Sequence, residues 1–142
     1  MKYIKKITPQ EMNDALERYF DVATKEDFWE VKGLYATENC LCYSTTDDNC
    51  FLCFDENTGF ICYFAMKKDR LMNIKGLAEA VYEIVCSGHP FVKISGRNGR
   101  YPRILKAFGH YTIKETALKE YEEIVWYAGH PDNIEKIKRR FN

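Results

Sequence analysis

At 142 residues the chain has the length of one compact domain, which excludes a two-domain enzyme. Its 46% hydrophobic and 15% aromatic content excludes a disordered chain and supplies a core. Lys and Arg number 21 against 21 Asp and Glu, so the net charge is zero and no overall field draws the molecule to nucleic acid or an anionic membrane.

Taken in chain order, Tyr3 to Ile7 reads as a short strand. Thr8-Pro9-Gln10-Glu11 then starts a helix, with Thr8 as N-cap, Pro9 at the first helical position and Glu11 three residues beyond the cap, and the helix runs to about Val22. Thr24 and Asp27 open a second, short helix through Val31, closed by Gly33. From Leu34 to Met66 the period is that of β structure, with strands near 34–44, 50–55 and 59–66 and turns at Thr46–Asn49 and Glu56–Gly59. A helix follows at about 74–86, where Ile74, Leu77, Val81, Ile84 and Val85 form an apolar stripe. Phe91 to Ser95 is a strand, Tyr101 to Phe108 a short helix, Tyr111–Thr116 and Glu122–Tyr127 a strand pair, and Pro131 to Phe141 a terminal helix. The order is that of an α/β (α+β) chain: one domain over residues 1–142, with a mixed, mostly antiparallel central sheet and helices on both faces. The strands near 50–66 and 91–95 are expected in one sheet, covered on a face by the 74–86 helix.

No apolar run approaches the ~20 residues of a membrane helix. The opening MKYIKKITPQEMND lacks the apolar region of a signal peptide, so a cytoplasmic location and no membrane partner are expected. The six cysteines are then expected as reduced thiols. The spacing of Cys40, Cys42, Cys50 and Cys53 is open to reading as a four-thiolate zinc site. Strand alternation of the first pair, and Phe51, Leu52 and Phe54 around the second, favour buried structural thiols and no metal.

Two segments carry a family resemblance. Asn73-Ile74-Lys75-Gly76-Leu77-Ala78 is similar to the (Arg/Gln)-x-x-Gly-x-(Gly/Ala) run with which the GNAT N-acyltransferase superfamily opens its central helix. Asn98 to Gly109 keeps the asparagine-to-glycine register of a second GNAT segment. The resemblance implies a GNAT-like fold in which backbone N–H groups of the first run hold the pyrophosphate of acetyl-CoA, with Asn73, Lys75, Gly76, Leu77, Ala78 and Asn98 as the cofactor-binding positions. Asn73 stands in place of the arginine or glutamine, and Leu105 in place of the tyrosine that protonates the departing thiolate. The second segment, with Arg103, Leu105, Lys106 and Gly109, also resembles GNAT-like head-assembly and internal-core proteins of short-tailed phages.

Glu38, Asp55 and Glu56 are the candidate general bases, each read as a solvated strand-end charge, and no catalytic residue is assigned. His89, His110 and His130 read as turn residues rather than ligands, and Cys86 has no adjacent base. Arg97, Arg100, Arg103 and Lys106 form one basic cluster, and Lys136, Lys138, Arg139 and Arg140 a second. The resulting expectation is a phage-encoded GNAT-like protein with a degenerate acyl-CoA site and no required cofactor. It would act in virion structure or assembly through contacts with itself or other phage structural proteins, with Arg97, Arg100, Tyr101 and Arg103 at the interface. Nucleic acid is not expected as the main partner, and the site of action would be the host cytoplasm or the virion. The alternatives are an active acetyl-CoA-dependent N-acyltransferase on a small amine or protein lysine, and a small cytosolic protein that binds a host factor.

Overall fold

Thr8 and Glu11 cap each other as their spacing requires: the Glu11 N–H donates to Thr8 Oγ1 at 3.1 Å and the Thr8 N–H to Glu11 Oε1 at 3.1 Å. The helix they start, α1, spans Pro9–Tyr19 and follows strand β1, Ile4–Ile7. The structure, a computed structural model, describes residues 1–19, 36–68, 70–95, 111–115 and 122–142. The expected helices at 24–31 and 101–108 lie outside the described residues.

Three strands follow as expected in number, β2 (Cys40–Thr45), β3 (Cys50–Asp55) and β4 (Ile61–Met66). The first begins later than the expected residue 34, because residues 37–39 turn and Asn13 fixes Ala36 by exchanging two hydrogen bonds with its backbone, at 2.9 and 3.0 Å. Both turns carry the residues their backbones need: Asp48 has φ 55° and Gly59 φ 78°. Helix α2 covers Leu71–Cys86, β5 Val92–Ser95, β6 Tyr111–Glu115, β7 Glu122–Trp126 and α3 Pro131–Phe141. His130 caps α3, its Nδ1 accepting from the Asp132 N–H at 3.3 Å, and Pro131 occupies the first turn.

The chain is therefore a mixed α+β structure, mainly antiparallel, with three helices among the described residues. Its strands form two sheets and not the one expected: β1-β2-β3-β4, all antiparallel, and β5-β7-β6, also antiparallel. A single parallel bridge, Phe60 to Lys93, joins them among the described residues, with the Lys93 N–H donating to Gly59 O at 2.7 Å.

The two faces of the four-stranded sheet bury different clusters. On one, Leu41, Tyr43, Leu52, Phe54 and Ile61 meet Leu77, Ala80, Val81 and Ile84 of α2, together with Ile94, Trp126 and Ile137 from β5, β7 and α3. On the other, Met12 and Leu16 of α1 cover Cys40, Cys42, Phe51 and Cys53, with Cys62 at the margin. Ile74, expected in the apolar stripe, is instead exposed, since the buried side of α2 runs through Asn73, Gly76, Leu77, Ala80 and Val81. Glu79 on that same helix is buried, and its carboxylate accepts from the backbone N–H groups of Lys2, Tyr3 and Ile4 at 2.9–3.1 Å. A buried charge held by three donors is satisfied rather than stranded, so it fastens the approach to β1 onto α2.

Candidate functional site

The connection β4–α2–β5 is a crossover between neighbouring strands that run parallel at their one bridge. Beyond that bridge the two sheets share no ladder among the described residues. In sheets with such crossovers the ground beyond the carboxyl ends of the strands, where the next helix begins, is where small ligands are received. Helix α2 starts there with Arg70 as N-cap, no side-chain cap and no acidic residue in its first turn. The Arg70 guanidinium is held by Asp47 at 3.0 Å, and Lys67 and Lys68 beside it are exposed.

The helix begins three residues earlier than expected, and this moves the motif from its mouth into its body. Asn73 is buried: its Oδ1 accepts from Asn49 Nδ2 at 2.7 Å and its Nδ2 donates to Lys68 O at 2.8 Å. The side chain thus ties α2 to the β2–β3 turn. Gly76 is a packing residue, since a Cβ there would lie 2.7 Å from Thr45 Cγ2 and 3.4 Å from Ile4 Cγ2. Leu77 and Ala78 are core. Lys75 is half-buried, its Nζ 5.3 Å from the centre of the Tyr3 ring. Asn98 lies outside the described residues, as do Arg97, Arg100, Tyr101, Arg103 and Leu105.

The candidate bases sit elsewhere. Asp55 closes the β3–β4 turn by accepting from the Asn57 and Thr58 N–H groups at 2.8 and 3.3 Å. Glu56 accepts from or pairs with His89 Nε2 at 2.9 Å, and the His89 ring stands edge-on to Phe54 at 5.0 Å. Glu38 is exposed in the turn before β2. All three lie at the opposite end of the sheet from the start of α2, the length of β4 away, or about 20 Å. Tyr43, on the aliphatic face, holds its proton: burial, with Glu83 and Glu56 nearby, pushes its phenol up to about 12. Among the described residues no group of three or more His, Cys, Asp or Glu side chains is placed to hold a metal ion.

At the bridge itself is a feature that sequence patterning missed. Phe91 and Tyr127 continue the Val92–Trp126 register on the side away from Trp126, and both are exposed, at 37% and 41%. Phe60 lies beside them under the Lys93 ammonium, 5.6 Å from its ring centre. Three strands thus each bring an aromatic ring to one surface. Only the exposed phase of two short strands could have signalled it, and that phase depends on a pairing no local pattern reveals.

No helix among the described residues is long and apolar enough to cross a membrane. Comparison with protein-family models, with curated proteins and with solved structures finds no match for this chain.

Proposed function

We propose that the chain is a GNAT-like protein whose acyl-CoA site is degenerate and which works through protein–protein contacts, in the structure or assembly of a phage particle. One observation carries the reading: Asn73 and Gly76, two of the acyl-CoA positions, are engaged in holding the molecule together. Asn73 braces a turn and Gly76 lets α2 approach Thr45, so the motif serves packing where the resemblance implies a phosphate cradle. The crossover of β4, α2 and β5 between two sheets that share one bridge among the described residues supports the GNAT-like arrangement. The exposed Phe91 and Tyr127 support a contact function, because aromatic residues are enriched where proteins bury surface against one another.

Titration calorimetry with acetyl-CoA at low salt, run beside light scattering on the same preparation, tests it. The expected result is no binding in the micromolar range and a defined oligomer that Tyr127→Glu weakens. A low-micromolar dissociation constant that is abolished by Leu71→Asp, which places a carboxylate at the exposed first turn of α2 without disturbing its packing, would overturn the reading in favour of an N-acyltransferase.

A further inference from the structure

The face beneath α1 gathers sulfur. Cys42 and Cys53 are direct partners across β2 and β3, both fully buried, with their Sγ atoms 3.9 Å apart. Between Cys53 and Phe54 the register with β4 shifts: Cys53 pairs with Tyr63 and Phe54 with Ile61, which leaves Cys62 as the extra residue of a bulge. Because of that extra residue Ile61 and Phe64, three apart, both pack with the aliphatic face, while Cys62 packs with the thiols. Cys62 is half-buried, sits in the bulge opposite Cys53 against the same cluster, and its thiol donates to Phe60 O at 3.7 Å. All six cysteines are free. Cys40, on the same face, is engaged by the Thr37 N–H at 3.4 Å.

Directly opposed residues of an antiparallel pair hold their Cα atoms about 4.5–5.5 Å apart. That falls within the ~4.4–6.8 Å a disulfide spans, so Cys42 and Cys53 can be joined by side-chain rotation without moving the backbone. The reactive species is the thiolate. The neighbouring Cys53 thiol lowers Cys62 and likewise Cys42, whereas Cys53 is itself pushed up by those two thiols and by burial. Of the two thiols so favoured, Cys62 is the one that solvent reaches.

We propose that Cys62, Cys53 and Cys42 form a thiol relay that reduces a hydroperoxide and stores the oxidation as a cross-strand disulfide beneath α1. The Cys62 thiolate attacks the terminal oxygen of the peroxide, the O–O bond breaks, and the departing alkoxide or hydroxide takes a proton. Cys62 is then a sulfenic acid. Cys53 loses its proton and attacks that sulfur, forming the Cys53–Cys62 bond and releasing water. Cys42, as thiolate, next attacks Cys53, and Cys62 leaves and accepts the proton that Cys42 gave up. The sum is two thiols and one hydroperoxide converted to one disulfide, one alcohol or water molecule, and one water. The relay stands apart from the acyl-CoA reading and survives its failure.

The test is oxidation of the reduced full chain by hydrogen peroxide, quenched under denaturing conditions with iodoacetamide and followed by intact mass and peptide mapping. The expected product lacks two hydrogens, leaves two of the six cysteines unalkylated, and maps first to Cys53–Cys62 and finally to Cys42–Cys53. Cys62→Ser should slow it roughly tenfold, and Cys42→Ser should halt it at Cys53–Cys62. Mapping on the unaltered chain decides the matter even if a variant does not fold. Oxidation confined to the exposed Cys86, with Cys42, Cys53 and Cys62 all alkylated, would overturn the proposal, as would an unchanged rate in a folded Cys62→Ser protein.

Discussion

The two faces of the four-stranded sheet are built from the same strands and bury different chemistry. The face toward α2 and α3 is filled by Phe54, Ile61, Val81, Ile84 and Trp126, large side chains whose burial supplies most of the hydrophobic stabilisation. The face toward α1 closes over polarisable thiols and one ring, Phe51, with Met12 and Leu16 as its lid. Burial is as complete beneath α1 as beneath α2, for Cys42 and Phe54 are both 0% exposed. Equal burial with unequal side-chain size means that one face carries stability and the other has chemistry to spare.

Truncation should break that symmetry most visibly. Phe54→Ala is expected to destabilise by about 3–5 kcal/mol, through lost transfer energy and the cavity left behind, whereas Cys53→Ala beside it should cost about 1 kcal/mol. Urea denaturation of the two variants measures the difference, and equal losses would erase the distinction between the faces. A smaller effect is expected where the aliphatic face holds a charge. Glu79→Ala strips three backbone N–H groups of their acceptor and should cost about 2–3 kcal/mol, with Glu79→Gln, which keeps one oxygen, losing about half of that. Thermal melts and amide exchange of residues 2–4 would report both.

The smallest effect belongs to the β2–β3 turn, where exposure dilutes electrostatics. Asp47 is held below the ordinary carboxylate range chiefly by the Thr45 hydroxyl, with the Asn49 N–H and Arg70 adding to it, and Asp48 chiefly by Lys5. A depressed folded value means the stabilisation is complete above the unfolded value near 3.8 and is lost as pH falls through the lower, folded one. Asp47→Asn should therefore lower stability by about 0.5 kcal/mol at neutral pH and leave it nearly unchanged below the folded value, so that the acid limb flattens, as pH-dependent urea midpoints would show.

What the sequence disclosed follows the range of each signal. Thr8, Pro9 and Glu11 announce α1, because that cap is a contact between residues three apart, and Pro131 marks the start of α3. The turns at Asp48 and Gly59 are legible for the same reason. Element types along residues 40–66 were also legible, since alternation is local. The division into two sheets was not, because it depends on which strand edges meet, and the residues at Phe60 and Lys93 carry no mark of it. Nor was the bulge, for a single inserted residue in Phe60–Phe64 leaves an alternating apolar run looking unbroken. Asn73 and Glu79 are buried ties whose partners lie 24 and 75 residues away, so no local pattern marks either of them as such.

The Glu79 tie also bears on the order in which the molecule can be made. The carboxylate that secures residues 2–4 comes about 75 residues after them, and at ~5–20 residues per second the ribosome takes roughly 4–15 s to supply it. Through that interval β1 is without its anchor, and its ladder partner β2 is itself some 36 residues behind it. Strand β1 is thus the last of its sheet that can be locked. A nascent chain stalled before residue 79 should leave Lys2 to Ile4 open to proteolysis, and one stalled far enough beyond α2 for that helix to have left the ribosome should protect them.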